Sequence, residues 1–546
     1  MKFDPVLLAP RMAPMKAAGL WRDETIDVHV QRALKNCPDK LAVVAYAAEK
    51  REPVRLSYRE LDARVDRIAR GLVSLGVGRQ DVVTFQLPNC WEFLALCLAC
   101  ARIGAVANPV MPIFRQHELT FMLNFGESKV FIVPKVFRGF DYEAMARGMR
   151  RDLPQLTNLI VIGGEGEESF EARLLRDDTP ALSGPGIGPD DVLLLMYTSG
   201  TTGEPKGVMH TSNTLFSNLH AYRETMELGP DDIILGASPM AHLTGYGYLA
   251  MLPLILNSTT VLQDVWEPRR ALQIVRDENV SFSMASSPFV ADLCGAVEAG
   301  DRTTARFNKF CCAGAPIPPV LIERAQKVLG MRLCSAWGMT ENGAVTVTEP
   351  SRAMEKSGVS DGRPLPGMEV KVVDANGIDL PPGESGSLLV RGASQFGGYL
   401  KRPQFNATSA DGWFDTGDVA TIDAEGYIRI TGRSKDVVIR GGENIPVVEI
   451  ENLLYQHPAI AVVAVVGYPA KRLRARVGAL VSLKPGASSS FEHMTAHPDR
   501  TAAAAWGGAG VGAAFVRDVD DPQTMQHQGG REGRGGEHRQ EKGGVS

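Results

Sequence analysis

The chain has 546 residues, 44% of them apolar and 22% charged. At ~100 to 200 residues per domain this is too long for one compact unit, and the balance is that of a globular protein rather than a fibre, a repeat array or a disordered chain. The 58 Lys and Arg against 63 Asp and Glu leave a net charge of −5, so no chain-wide cationic surface points to nucleic acid or an anionic membrane.

The eight cysteines (Cys37, Cys90, Cys97, Cys100, Cys294, Cys311, Cys312 and Cys334) are too sparse for a disulfide framework and follow no metal-ligand grammar. Cys97 and Cys100 fall in the apolar run 93–101, which reads as a buried helix. Pro5, Pro10 and Arg11 interrupt any apolar run at the N-terminus, so no secretory signal is read there and the cytoplasm is the expected compartment. Residues 233–263 contain no Asp, Glu, Lys or Arg, yet Pro239, His242, Pro253 and Asn257 would be costly in lipid. That stretch reads as the interior of an α/β domain, not a transmembrane segment.

Along the first 190 residues, helical patterns alternate with short apolar runs. Ser57 followed by Glu60 is a capping box opening a helix that runs through Leu72. Strands are expected at 81–86, 105–110, 130–134 and 159–163, with a buried helix at 91–103. The alternation resumes with strands at 192–197, 232–236, 260–262, 282–284 and 309–312. Between these lie helices near 214–226, 245–256, 268–278, 288–296 and 318–329. Two such blocks predict an α/β body of two mostly parallel, doubly covered sheets. From about 360 the turn signals Asp374-Ala-Asn-Gly377, Pro381-Pro-Gly-Glu384 and Asp423-Ala-Glu-Gly426 separate alternating runs, which predicts antiparallel β, a barrel or meander over about 360–434. The expected domains are therefore 1–434 and a small α+β unit at 435–489. The latter has a helix at 446–457 and strands at 460–467 and 478–483.

The strongest chemical signal is Tyr197-Thr198-Ser199-Gly200-Thr201-Thr202-Gly203-Glu204-Pro205-Lys206-Gly207, directly after an apolar strand. Its hydroxyls, glycines and lysine supply the N–H groups, O–H groups and cation that nucleotide phosphates require. The spacing is not that of a Walker A loop. Ala313-Gly314-Ala315-Pro316 offers bare backbone for a flat ring. Ser335-Ala336-Trp337-Gly338-Met339-Thr340-Glu341 joins an aromatic, a hydroxyl and a carboxylate able to hold Mg²⁺. Trp413-Phe414-Asp415-Thr416-Gly417-Asp418 ends in a turn carboxylate suited to a ribose diol, and Gly432-Arg433-Ser434-Lys435-Asp436 adds a fixed cation.

In that order these motifs resemble the adenylate-forming superfamily of acyl-CoA synthetases, luciferases and peptide-synthetase adenylation domains, over roughly residues 20–485. Ser238-Pro-Met-Ala-His242-Leu-Thr-Gly245 and Val265-Trp266-Glu267-Pro268 are most similar to bacterial cyclohexanecarboxylate-CoA ligases and neighbouring medium-chain acyl-CoA synthetases. The resemblance implies that ATP and a carboxylic acid form acyl-AMP, whose AMP is then displaced by CoA. It implies that Thr198, Ser199, Gly200, Thr201, Thr202, Gly203 and Lys206 guide pyrophosphate, Thr340 donates to the α-phosphate and Glu341 coordinates Mg²⁺. Gly314, Ala315, Pro316 and Trp337 would hold adenine, and Asp418 and Arg433 the ribose. His242 would stand between acyl pocket and CoA channel, Lys435 at a hinge, and Gly441 and Gly442 along the pantetheine tunnel. Gly245, Tyr246, His242 and Met339 are the expected acyl-pocket lining.

The end of the chain departs from the family. Its members carry a Pro-x-x-Gly-Lys segment whose lysine reaches the α-phosphate, and none follows Pro485 here; the last lysine is Lys542. Residues 507–546 hold 11 glycines in 40 positions, against 56 in the whole chain, and too few apolar residues to offset ordering entropy. Residues from 490 are expected to be disordered, with a frameshift near 488–500, in the gene or its sequencing, as the hypothesis. The small domain would then be truncated and adenylation impaired. Transfer to a carrier protein instead of CoA, or a non-catalytic nucleotide- or acyl-binding remnant, stay open. So do the identity of the acid and the oligomeric state.

Overall fold

A computed structural model describes residues 1–198, 205–315, 317–433, 438–440, 443–445, 454, 457, 459–470, 474–483 and 515–516. These fall into two compact units, one comprising 1–198 and 205–430, the other running from Thr431 onward.

The first unit contains two large sheets. The nine-stranded one runs in the order Arg363–Pro364, Gly343–Val347, Arg332–Met339, Lys309–Ala313, Phe282–Ala285, Ile233–Gly236, Thr259–Gln263, Leu41–Tyr46, Val54–Ser57, and is parallel from Arg332–Met339 through Leu41–Tyr46. The six-stranded one runs Lys206–Thr211, Val192–Thr198, Val106–Pro109, Val82–Phe85, Ser128–Pro134, Asn158–Ile162, antiparallel only at its first pair. Membership does not follow the two sequential blocks. Leu41–Tyr46 joins the strands from the second half of the chain, whereas Val192–Thr198 closes the sheet of the first half.

Alternation along the strands explains the double covering. Val44, Leu235, Val261 and Phe310 pack on the helices Pro268–Asp277, Ser287–Glu298 and Pro319–Leu329. Their neighbours Val43, Ile234, Leu262 and Cys311 face a central layer with the helices Ile26–Asn36, Tyr58–Ser74, Trp91–Arg102 and Ser212–Thr225. Val83, Phe85, Val130 and Ile132 of the second sheet join this layer from its other side. The capping box forms as read: Glu60 N–H donates to Ser57 Oγ at 3.2 Å and Ser57 N–H to Glu60 Oε2 at 2.8 Å. In the helix Trp91–Arg102, Cys97 and Cys100 are buried free thiols, and desolvation pushes Cys100 up to about 12. The expected helix at 245–256 begins instead as a π-helical run, Thr244–Met251, continued by Leu252–Leu256. No helix among the described residues is long and apolar enough to cross a membrane.

The turn-rich region is a four-stranded antiparallel meander, Met368–Val373, Gly386–Gly392, Phe414–Ile422 and Ile428–Arg433, the open form of the two expected. In the second unit Ile460–Ala470 and Arg474–Leu483 form a long antiparallel pair, and Val438–Arg440 pairs with Glu443–Ile445. Of the tail beyond 490, only Phe515–Val516 is described, and it pairs in parallel with Leu480 and Val481. The expected helix at 446–457 lies almost wholly outside the described residues.

Candidate active site

The site grows from two neighbouring strand ends. Lys309–Ala313 and Arg332–Met339 run parallel in register from Lys309–Arg332 to Ala313–Ala336. Gly314 and Trp337 follow directly, at the carboxyl end where parallel sheets bind ligands. Gly314 has φ +92° and open space where a Cβ would project, and Ala315 beside it is exposed. Pro316 lies outside the described residues. The Trp337 indole N–H donates to Asp418 Oδ2 at 3.0 Å, which fixes the ring plane and joins two residues far apart in sequence. Asp418 is not in a turn, as its sequence reads. It sits within the strand Phe414–Ile422 where the register with Gly386–Gly392 slips, so that the bulged Thr416–Asp418 is re-aimed.

Beyond Trp337 the chain folds back as a tight antiparallel pair with Gly343–Val347. A Cβ on Gly338 would meet Gly343 O at 2.0 Å, so this approach requires glycine. The turn between them holds Thr340, Glu341 and Asn342, and each carbonyl is held by a different donor. His210 Nε2–H donates to Thr340 O at 2.6 Å, Phe396 N–H to Glu341 O at 2.7 Å, and Ser394 Oγ–H to Asn342 O at 2.7 Å. His210 is fully buried, and desolvation brings its pKa down to about 4. The ring is therefore neutral at pH 7, with Nδ1 left to face Thr214 Oγ1 at 3.1 Å.

The Glu341 carboxylate is buried, and Tyr399 O–H donates to its Oε1 at 2.5 Å. Burial and that carboxylate push the phenol far up, so it stays a donor. Lys206 lies on the face of the same ring, Nζ 4.8 Å from its centroid and 5.2 Å from that of Phe405. One tyrosine thus separates the cation of the phosphate-type loop from the candidate metal carboxylate. Tyr399 arrives because 397–400 pairs along the edge strand Lys206–Thr211, through Gly397 N–H to Met209 O at 2.8 Å and Leu400 N–H to Gly207 O at 2.8 Å. Arg11 fastens the preceding segment. Its buried guanidinium donates to Gly392 O, Gln395 O and Phe396 O at 3.1, 2.7 and 2.7 Å.

Of the other expected site residues, Thr198 ends the strand Val192–Thr198 opposite Lys206 in register. Ser199, Gly200, Thr201, Thr202 and Gly203 lie outside the described residues, as do Lys435, Gly441 and Gly442. Arg433 ends the meander's last strand, exposed, in the second unit. His242 is exposed, and Thr244 N–H donates to its Nδ1 at 3.3 Å. The loop before it is pinned by buried Asn89, which donates to Gly236 O and Ser238 O at 3.1 and 3.0 Å and accepts from Met240 N–H at 2.8 Å. Tyr246 is fully buried. A narrow internal cavity lies nearby, lined by His210, Asn218, Leu243, Tyr248, Asn342 and Ser394, and both amide atoms of Asn342 lack a hydrogen-bond partner.

Sequence reading missed Arg11, Asn89, His210 and Tyr399. For Tyr399 a signal existed in the uncharged Gln395-Phe-Gly-Gly-Tyr399 run, two glycines delivering an aromatic. For His210 the period of two places it on the same face of the edge strand as Lys206.

The AMP-binding enzyme model matches residues 30–400, more than half of the chain. The chain belongs to the AMP-binding enzyme family. It is an adenylate-forming ligase by that membership. It is 32% identical over 492 residues to the medium-chain fatty-acid–CoA ligase of Escherichia coli (strain K12), covering 89% of this chain and 86% of that one. It is 33% identical to the 2,3-dihydroxybenzoate-AMP ligase of Bacillus subtilis (strain 168), covering 83% of each. The crystal structure of ATP-bound MatB from Rhodopseudomonas palustris superposes with a TM-score of 0.74 at 27% identity, over 90% of this chain and 95% of that one.

Proposed function

We propose that this family member is an acid–thiol ligase that uses ATP and Mg²⁺ to turn a small-to-medium aliphatic or alicyclic carboxylate into acyl-AMP and then, with CoA, into acyl-CoA. The observation that carries this reading is the Lys206–Tyr399–Glu341 arrangement, which sets a cation and a buried carboxylate on two sides of one neutral phenol. Two anions, the carboxylate and the α-phosphate, must meet in the first step, so charge neutralisation at fixed positions is the main requirement. A single carboxylate suits Mg²⁺, which keeps waters and takes its other ligands from phosphate. When bound there, the ion would offset phosphate charge. Glu341 would hold it, Thr340 would donate to the α-phosphate, and Thr198 and Lys206 would guide the pyrophosphate, with the 199–203 loop between them. Trp337, Asp418 and the Gly314–Ala315 backbone would bind the nucleoside. His242 would border the acyl group.

The missing Pro-x-x-Gly-Lys segment removes one cation aimed at developing charge, an effect of ~10²- to 10³-fold in rate. The proposal therefore includes slow adenylation by this chain, with acyl-AMP binding retained. Transfer to a carrier protein is the second reading, favoured by the similarity to an enzyme named as an AMP ligase. Supplying synthetic cyclohexanecarbonyl-AMP with CoA tests the second half-reaction without the first. Thioester and AMP in equal amounts are the expected result; hydrolysis alone, with no thioester, overturns the CoA assignment.

A further inference from the structure

A second cluster of chemistry-bearing side chains lies in the first unit among residues with no part in the reading above. His29 projects from the helix Ile26–Asn36, His220 from the helix Ser212–Thr225, and Glu24 precedes the first of these. His29 is 1% exposed, and neither of its ring nitrogens has a hydrogen-bond partner. A buried imidazole in that state calls for an explanation, and a bound ion is one. Its Nε2 stands 3.7 Å from Glu24 Oε2, and His220 Nε2 stands 3.1 Å from the same oxygen. The three donor atoms lie within 4.8 Å of one another.

We infer that Glu24, His29 and His220 form a binding site for a borderline divalent transition-metal ion of the Zn²⁺ type, stapling the helix Ile26–Asn36 to the helix Ser212–Thr225. Tetrahedral zinc with bonds of ~2.0 to 2.2 Å needs donors ~3.3 Å apart, and the two distances to Glu24 Oε2 bracket that value. Two imidazoles and one carboxylate are a zinc donor set with room for a water, and they select against Mg²⁺, which takes oxygen ligands. Arg32 does not compete for the facing oxygen. It holds Oε1 at 2.6 Å and so turns Oε2 toward the histidines. Burial lowers the basicity of both rings. The nearby cations Arg22, Arg32 and Arg223, together with Nδ1 atoms that lack the outer hydrogen bonds of tight sites, set the affinity ~10- to 100-fold below that of fully supported zinc sites.

The experiment is a Co²⁺ titration of the full, metal-stripped chain followed by visible absorption, then displacement by Zn²⁺. Unfolding temperature is measured with and without Zn²⁺. One equivalent of Co²⁺ with the intense bands of tetrahedral coordination, lost to Zn²⁺, and a Zn²⁺-dependent rise in unfolding temperature are expected. H29Q/H220Q should abolish both, and E24Q should weaken binding at least ~10-fold. Because the doubly substituted core could misfold, the single substitutions E24Q, at a half-buried residue, and H220Q carry the same reading. Absence of binding by the native sequence, or Co²⁺ affinities of E24Q and H220Q equal to that of the native chain, overturns the site.

Discussion

Two turns at the ends of adjacent parallel strands differ in every physical respect. The one after Arg332–Met339 is tied down: the carbonyls of Thr340, Glu341 and Asn342 accept hydrogen bonds from His210 on an edge strand and from Phe396 and Ser394 on one connecting segment, and Glu341 is buried against Tyr399. The one after Lys309–Ala313 is bare, with Gly314 at positive φ and nothing within 4 Å of its missing Cβ. Charge handling needs groups that do not reorganise during reaction, whereas a flat ring needs only an unobstructed backbone. The same sheet edge supplies both by changing what is packed behind each turn.

The largest effect that would break the comparison is at Glu341. E341Q should lower acid-dependent pyrophosphate release by ~10³-fold or more while the unfolding temperature moves little, because the Tyr399 hydrogen bond can be kept by the amide oxygen. A rate within a few fold of the native chain would remove Glu341 from the metal role. Next is Arg11, remote in sequence and buried. R11M removes the donor to four carbonyls, those of Leu7, Gly392, Gln395 and Phe396, and should cost about 3 kcal/mol in denaturant unfolding, with the loss spreading to the Glu341 turn through 392–396.

Tyr399 sharpens the comparison from the other side. Y399F keeps the ring under Lys206 but removes the donor to the carboxylate, a charge-assisted bond worth about 1.5 to 3 kcal/mol. The expected outcome is a ~10- to 100-fold fall in kcat with a raised Mg²⁺ requirement, read from Mg²⁺ titrations of pyrophosphate release. His210 gives a pH signature. Its folded pKa of about 4 lies below the ordinary 6.5, so between those values the unfolded chain binds a proton that the fold refuses. Its contribution to stability is whole above pH 6.5 and declines as pH falls toward 4. Denaturant midpoints at pH 7, 6 and 5 should fall accordingly, and H210Q should fall less steeply. Smallest is G314A, whose Cβ meets no atom but whose φ disfavours alanine, for about 1 kcal/mol. A larger G314V should raise the KM for ATP with little change in the unfolding temperature.

What was legible in the sequence is local. The Ser57–Glu60 cap, the buried helix with Cys97 and Cys100, and the phosphate-type loop after an apolar strand are each decided by residues within one or two turns. What was not legible is pairing over distance. Arg11 meets Gln395 across 384 positions, His210 meets Thr340 across 130, and Tyr399 meets Glu341 across 58. Nothing in 41–57 marks it as belonging with strands beyond 230, because a parallel neighbour is set by crossover topology rather than by pattern. Thr416-Gly417-Asp418 reads as a turn because glycine before aspartate suits one. The structure meets the same backbone demand, Gly417 at φ +74°, with a bulge inside a strand.

Adenylation in the first unit, slowed by the lack of Pro-x-x-Gly-Lys after Pro485, is tested by acid-dependent pyrophosphate release from the 546-residue chain and from the same chain given a family-like C-terminal end with Pro-x-x-Gly-Lys. The assay uses cyclohexanecarboxylate and a series of linear acids with ATP and Mg²⁺. Slow release by the native sequence and a rise of ~10² to 10³-fold in the repaired chain are the predicted result. Full-rate release without repair would contradict the impairment, and no acid-dependent release from either would contradict the ligase itself.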